Sequence, residues 1–286
     1  IDKPLLNRAV LGLYPPGSSM KLVTTIAAMQ REVMDNQWSI QCTGSYEFGD
    51  RTFGCWREKG HGTVNLSRAI VESCNIYFYQ LVQRIDINTL ANFTRLFGFG
   101  SPTGIDLPVE NSGLVADRTF MNEKYGRWGW AKGSLLHLSI GQGDILVTPL
   151  QMVSFIATVA TKGEKIRPKL FQNREDFGTV RIPLRANTWN VIHELIFNVV
   201  NKRNGTAFDA ELARSDVRAY GKTGTAENPH GDPHAWYVGF ASRKNETIAL
   251  SVIIENGGTG GSTAAPIAAE LTKLYFGLGS RLRVDP

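Results

Sequence analysis

The last third of the chain carries the alternating apolar pattern of β-strands, and this pattern restricts the fold more than any other feature of the sequence. It occurs in three segments, Ala219–Ala226, Ala235–Ser242 and Thr247–Glu255. The short turn Arg243–Glu246 joins the last two segments. Because connections of this length join antiparallel neighbours, the sequence predicts an antiparallel sheet near the end of the chain.

The preceding part of the chain has the spacing of helices instead. Apolar residues from Ser18 onward recur at helical spacing and predict a largely buried helix of about 16 residues. Further helices are predicted from Asn65 through Glu72, from about Ile76, over 148–162 with Thr148 as N-cap and Pro149 at the first position, and over Ala264–Tyr275. Residues 1–17, 40–62 and 98–134 are interpreted as loops or irregular connections. Helices in the middle and an antiparallel sheet near the end indicate the α+β class.

Composition and charge exclude several classes of protein. The 286 residues are 42% hydrophobic and 20% charged, which suits one large or two small globular domains and excludes collagen-like, coiled-coil and disordered chains. The net charge of +5 comes from scattered basic residues without a basic stripe, so no nucleic-acid partner is expected. No apolar run approaches the ~20 residues of a membrane helix, and the start of the chain has no signal-peptide pattern. Because the chain does not begin with Met, we expect a processed or partial chain, and a membrane anchor upstream stays open.

Ser18 and Lys21 form a candidate nucleophile and base at the start of the first predicted helix. Their spacing places both side chains on one face, one turn apart. A serine hydroxyl needs an adjacent base, and a lysine serves only if burial and the helix N-terminus lower its pKa from ~10.4. The same helix N-terminus could stabilise an oxyanion. Alone the pattern is weak, because a serine N-cap followed by a solvated lysine is common.

Two further motifs strengthen this interpretation. Ser73 and Asn75 offer a hydroxyl and an amide at a predicted junction between helices. On the predicted strand that contains Lys222–Thr225, alternation sends Lys222 and Gly224 to one face, where the glycine lets a ligand approach the backbone closely. The lysine and the threonine hydroxyls suit a carboxylate. Ser-x-x-Lys, a Ser-x-Asn element and Lys-Thr-Gly in this order are the signature of penicillin-binding proteins and of class A β-lactamases.

The chain resembles the transpeptidase domain of class B penicillin-binding proteins of the elongation type. The resemblance covers nearly the whole chain, and its specific stretches are Leu5–Ala9, Tyr14–Ser18, Gly60–Gly62, Ser73–Tyr79, Thr103–Pro108, Ser139–Gly143, Thr148–Gln151, Lys222–Ala226 and His234–Phe240. It implies a penicillin-binding fold over residues 1–286, in which an antiparallel sheet is flanked by helices and a mostly helical subdomain is inserted at roughly 35–160. The two N-terminal strands, the pedestal domain and the membrane helix of such proteins are expected to be absent from this chain.

The resemblance implies peptidoglycan D,D-transpeptidation without an organic cofactor. Ser18 would form an acyl-enzyme with a stem peptide, and β-lactams would acylate the same serine. The catalytic residues would be Ser18, Lys21, Ser73, Asn75 and Lys222, and the substrate-binding residues Thr223, Gly224 and Thr225. Two alternatives stay open: a serine β-lactamase, for which no obvious water-activating glutamate loop is present, and a non-catalytic β-lactam sensor.

The resemblance also implies the binding partners and the cellular location of such a domain. Its partners would be stem peptides, β-lactam antibiotics, a membrane glycan polymerase and a rod-shape scaffold protein. The domain would lie at the periplasmic face of the bacterial inner membrane, in the machinery of cell elongation.

The three cysteines of the chain cluster in sequence around one histidine. Cys42, Cys55 and Cys74, with His61 between them, provide three thiolates and one imidazole, a complete set for a structural zinc ion. Relatives of the family hold a metal on the same loop. Since Cys74 lies between Ser73 and Asn75, a metal here would brace that motif. Two alternatives stay open: a Cys42–Cys55 disulfide with Cys74 as a buried thiol, or three core residues.

Overall fold

The structure is a computed structural model that describes residues 3–35, 37–171, 180–212 and 216–279. Its helices are α1 (Arg8–Leu11), α2 (Lys21–Gln30), α3 (Leu66–Val71), α4 (Asn75–Val82), α5 (Ile87–Leu96), α6 (Arg118–Tyr125), α7 (Gly133–Ser139), α8 (Pro149–Ala160), α9 (Ala186–Asn201) and α10 (Ala265–Phe276). Its strands are β1 (Ser39–Cys42), β2 (Ser45–Phe48), β3 (Arg51–Gly54), β4 (Gly62–Asn65), β5 (Leu114–Val115), β6 (Ile145–Leu146), β7 (Glu164–Lys165), β8 (Val180–Arg181), β9 (Arg218–Ala226), β10 (His234–Arg243) and β11 (Glu246–Ile254).

The predicted antiparallel sheet consists of β9, β10 and β11. Its strand order is β11-β10-β9, and Lys222 of β9 lies opposite Val238 of β10. The central strand is buried from Ala235 to Ala241, because α8, α9 and α10 all pack against the sheet. Apolar alternation therefore gives the correct strands, and the α+β class is confirmed.

The predicted helix after Ser18 begins as a 3₁₀ turn over Gly17–Met20 and continues as α2. Every residue from Lys21 to Ala28 is buried, and α2 contacts α4, α5 and α9. A helix that is buried on all faces belongs in the middle of a core, and its first turn is therefore held rigidly. Within the described ranges, no helix has the length and apolar character needed to cross a membrane.

The segment before Ser18 is hydrogen-bonded to the sheet. It contains the short helix α1, so the interpretation of 1–17 as a plain loop is wrong there, while Ile1 and Asp2 lie outside the described residues. The Tyr14 hydroxyl donates to Glu255 Oε1 at 2.7 Å, and the Trp236 indole donates to the Pro15 carbonyl at 3.0 Å. These bonds fix the chain at the point where it enters the turn of Ser18.

The interpretation of two other segments as irregular is also wrong. Residues 40–62 contain β2 and β3, which pair with each other, and parts of β1 and β4, which pair likewise. Residues 98–134 contain β5 and α6, and Asp117 caps α6 by accepting a hydrogen bond from the Phe120 N–H at 2.9 Å. Helix α9 has no counterpart among the elements predicted from the sequence. The inserted subdomain implied for roughly 35–160 stays a prediction.

Candidate active site

Ser18 lies in the 3₁₀ turn at the edge of a cavity of about 920 Å³. The backbone N–H of Lys21 donates to the Ser18 carbonyl, which places the lysine one turn after the serine. Ser18 is partly exposed to the cavity, whereas Lys21 is fully buried. The turn thus presents a hydroxyl at the surface and an amine beneath it.

The Lys21 ammonium is held by the motif at the junction of α3 and α4. Its Nζ donates to the Ser73 carbonyl at 2.8 Å, to Ser73 Oγ at 3.2 Å and to Asn75 Oδ1 at 2.7 Å. Complete burial lowers the pKa of Lys21 to about 8, and the nearby cysteine thiols oppose this shift. A substantial fraction of this lysine is therefore neutral in mildly alkaline solution.

Ser73 connects a second lysine to the first. Lys222 Nζ lies 3.0 Å from Ser73 Oγ, so the hydroxyl touches both amines. Burial and the charge of Lys21 hold the pKa of Lys222 well below its usual range. Two buried amines that share one hydroxyl can pass a proton between them through that hydroxyl.

The opposite wall of the cavity is the strand β9. Thr223, Gly224 and Thr225 line it, and Thr223 Oγ1 donates to Thr206 Oγ1 at 2.7 Å. Gln142 Nε2 donates to the Thr225 carbonyl at 3.0 Å and fixes the end of the strand. This wall presents hydroxyls and backbone groups to a ligand that lies along the strand.

The floor beneath Ser18 consists of closely stacked backbone. Gly17 and Gly141 have φ of +55° and +74°, and the Gly17 N–H donates to the Gly141 carbonyl at 3.0 Å. A Cβ on Gly141 would lie 2.2 Å from the Gly17 carbonyl oxygen, and one on Gly17 would lie 2.7 Å from the Thr225 oxygen. Only glycine allows these segments to approach so closely.

The three cysteines and His61 converge behind Ser73. Their ligand atoms lie within 4.8 Å of one another, and all four side chains are buried. His61 Nδ1 lies 3.5 Å from the sulfurs of Cys42 and Cys55, and all three cysteines are free thiols. Hydrogen bonds from Cys74 and His61 hold the pKa of Cys55 below its usual range. Three thiols and an imidazole in this arrangement fit a tetrahedral zinc ion.

Comparison with known proteins agrees with this geometry. Residues 1–273 match the family model described as the penicillin binding protein transpeptidase domain. The chain belongs to this family. The peptidoglycan D,D-transpeptidase MrdA of Haemophilus influenzae is 32% identical over 96% of this chain. The chain covers 46% of that protein, and it spans about half the length of the curated relatives it matches.

Solved structures of family members have the same fold. Penicillin-binding protein 2 of Pseudomonas aeruginosa, in complex with WCK 5153, is 33% identical with a TM-score of 0.89, over 99% of this chain and 65% of the other. Penicillin-binding protein 2 of Helicobacter pylori, in complex with MreC, is 30% identical with a TM-score of 0.88, over 96% of this chain and 52% of the other. The resemblance and the fold inferred from the sequence are confirmed.

In this transpeptidase domain, the eight residues predicted for catalysis and substrate binding meet at one cavity. Ser18, Ser73, Asn75, Thr223, Gly224 and Thr225 line it, and Lys21 and Lys222 contact Ser73. Their catalytic and binding roles stay predictions. Gln142 and Thr206 are not among the site residues predicted from the sequence, since each acts through a contact that forms only in the folded chain.

Proposed function

We propose that this domain is a D,D-transpeptidase that cross-links peptidoglycan stem peptides through an acyl-enzyme on Ser18. The observation that supports this best is the pair of buried lysines that share the Ser73 hydroxyl beside the cavity of Ser18. A buried amine with a lowered pKa is the base that a serine nucleophile needs. The chemistry needs no organic cofactor.

Acylation would begin when Lys21, as a free amine, takes the proton of Ser18. Ser18 Oγ then bonds to the carbonyl carbon of the penultimate D-Ala, and backbone N–H groups of Ser18 and Thr225 stabilise the oxyanion. The peptide C–N bond breaks as the leaving D-Ala nitrogen receives a proton through Ser73. Asn75 keeps Lys21 in place, since its Oδ1 accepts from Nζ at 2.7 Å.

Transfer would follow when an amine of a second stem peptide attacks the acyl-enzyme carbonyl. The new C–N bond forms while the attacking amine gives a proton to Lys21, the bond to Ser18 Oγ breaks, and the serine takes that proton back from Lys21. Lys222 and the hydroxyls of Thr223 and Thr225 would bind the terminal carboxylate of the donor peptide. Gly224 would let that peptide lie against the strand.

Mass spectrometry after exposure to penicillin tests the acylation step. We expect the mass of one penicillin molecule to be added to the wild type and nothing to be added to Ser18→Ala. Ser19→Ala is the matched control, because Ser19 is fully buried and its Oγ has no hydrogen-bond partner in the described part of the chain. An unmodified wild type would contradict the proposal.

The fate of the adduct distinguishes the two alternative functions. A long-lived adduct indicates a transpeptidase, whereas rapid release of hydrolysed drug indicates a serine β-lactamase. Turnover of a stem-peptide thioester analogue with an amine acceptor separates an enzyme from a non-catalytic β-lactam sensor. We expect a long-lived adduct and measurable turnover.

We also propose that Cys42, Cys55, His61 and Cys74 hold a structural zinc ion. The convergence of their ligand atoms supports this. Such an ion would stabilise the fold near Ser73 without taking part in the reaction. Metal analysis of protein purified without added zinc should give about one zinc per chain, and Cys74→Ser should lower both the zinc content and the thermal midpoint. A zinc content near zero would contradict this proposal.

We further propose that the domain acts in cell elongation at the periplasmic face of the inner membrane. The relative from Helicobacter pylori was solved in complex with MreC, which supports a rod-shape scaffold protein as a partner. A membrane glycan polymerase would supply the strands to be cross-linked. Co-purification of the full-length protein with a scaffold protein of this type tests the partnership, and separate elution of the two would contradict it.

A further inference from the structure

The indole of Trp56, which lines the cavity, is hydrogen-bonded to the backbone at the junction of α3 and α4. Its indole Nε1 donates to the carbonyl of Glu72 at 2.9 Å and to the carbonyl of Ser73 at 3.1 Å. The Trp56 side chain lines the cavity and is 58% exposed. The ring also contacts the His61 imidazole edge-on, with 5.4 Å between the ring centroids, and the two hydrogen bonds are its polar link to the junction.

The Ser73 backbone has a conformation that needs such support. Its φ is +55°, in the left-handed region that residues other than glycine rarely adopt. The Ser73 carbonyl accepts from Lys21 Nζ at 2.8 Å as well as from Trp56, while the hydroxyl contacts Lys21 and Lys222. A rotation of this residue would therefore move the hydroxyl relative to both amines.

The residues on either side of Trp56 hold the same junction by other means. Cys55 belongs to the cluster that includes Cys74. Arg57 Nη1 lies 3.6 Å from Glu72 Oε2, and Arg68 Nε donates to Glu72 Oε1 at 2.8 Å. These contacts fix the residues before and after Ser73. The Trp56 N–H reaches the Ser73 carbonyl itself.

We propose that Trp56 is a positioning residue that fixes the Ser73 hydroxyl between Lys21 and Lys222. It acts through the Ser73 carbonyl and takes no part in bond making. The inference rests on the proposed function, since it concerns the rate at which Ser18 is acylated.

The test compares Trp56→Phe with the wild-type chain in its metal-loaded form. Phenylalanine keeps an aromatic ring at the cavity wall and removes the N–H. We expect the first-order acylation constant with a fluorescent penicillin to fall about tenfold, the factor that corresponds to the loss of one hydrogen bond. The dissociation constant of the non-covalent complex should stay within about twofold, because the missing bond is not to the ligand.

Trp130→Phe is the matched control. Trp130 Nε1 donates to Asn122 Oδ1 at 2.8 Å, outside the cavity lining, so this variant loses one indole hydrogen bond of the same kind. It should acylate at the wild-type rate. Bound zinc and the thermal midpoint are measured for both variants.

The outcomes separate this inference from the proposed function. If the wild type is not acylated, the proposed function fails. If the wild type is acylated and Trp56→Phe matches its rate, the inference is wrong. It is also wrong if Trp56→Phe loses its zinc, if added zinc restores its rate, or if the variant does not fold, because each of these results would give Trp56 a general structural role instead.

Discussion

The acylation rate should depend on pH through Lys21. This lysine is fully buried, and its Nζ contacts Ser73 and Asn75. Burial lowers its pKa to about 8, and the amine can take the Ser18 proton only in its neutral form. Lys21 is the group expected to control the rate near pH 8, because it is the proposed base and its pKa lies there.

The size of the effect follows from this pKa. With a pKa of about 8, about one tenth of Lys21 is neutral at pH 7 and about one hundredth at pH 6. The acylation rate should therefore rise about tenfold between pH 6 and pH 7 and level off above about pH 9. An ordinary lysine would still be almost fully charged at pH 9, and its rate would continue to rise there.

The assay is stopped-flow acylation by a fluorescent penicillin between pH 6 and pH 10. Ser18→Ala corrects for hydrolysis of the drug by the buffer. Lys21→Arg is the control for the base, because a guanidinium stays charged at every pH in this range. A wild-type rate that is constant from pH 6 to pH 8, or one that falls as the pH rises, would refute the assignment of Lys21 as the base.

Three further variants test the stability of the fold around the site. Because burial lowers the pKa of Lys21 to about 8, this lysine makes the unfolded chain bind more protons than the folded one between about pH 8 and 10.5. The free energy of unfolding should therefore rise with pH there by up to about 3 kcal/mol through Lys21, and in urea titrations Lys21→Met should remove this part of the slope while the part due to Lys222 remains. Gly224→Ala would place a Cβ 2.9 Å from the Pro16 carbonyl oxygen. This clash should lower the free energy of unfolding by about 1–3 kcal/mol, measured by thermal unfolding, and should slow acylation. An unchanged thermal midpoint would contradict this. The Asp86 side chain caps α5 by accepting hydrogen bonds from the N–H groups of Asn88 and Thr89. Asp86→Ala should therefore lower the free energy of unfolding by about 1 kcal/mol and leave the acylation rate unchanged.

Most of the long, regular elements of this fold can be predicted from the sequence, with the 16-residue helix α9 as an exception, whereas the short strands cannot. The strand Ala219–Ala226 of the sequence analysis differs from β9 by one residue, because nine residues give several repeats of the alternation. The N-cap at Thr148 is confirmed, and the Thr148 backbone N–H donates in turn to Gln151 Oε1 at 2.9 Å. The strands β1 to β4 have four residues each, which is too few for a period to emerge among glycines and aromatic residues.

At the candidate site, the sequence indicates the residues proposed to react better than it indicates the residues that hold them in place. Ser18, Lys21 and Lys222 lie in motifs whose spacing carries chemical meaning. Gln142 and Trp56 act through bonds to carbonyls that are distant in sequence, and no local pattern indicates such bonds. The left-handed backbone conformation of Ser73 cannot be predicted from the sequence either, because the residue is not a glycine, the usual sign of that conformation.

The stacked backbone under Ser18 limits how the cavity can change during selection for altered ligand binding. At Gly17 and Gly141 any added side chain meets main-chain atoms, which cannot rotate away. A substitution at either position would therefore displace the turn that contains Ser18. The lining also contains exposed side chains, among them Arg51, Thr52 and Glu227, where a substitution would change the cavity without moving this backbone.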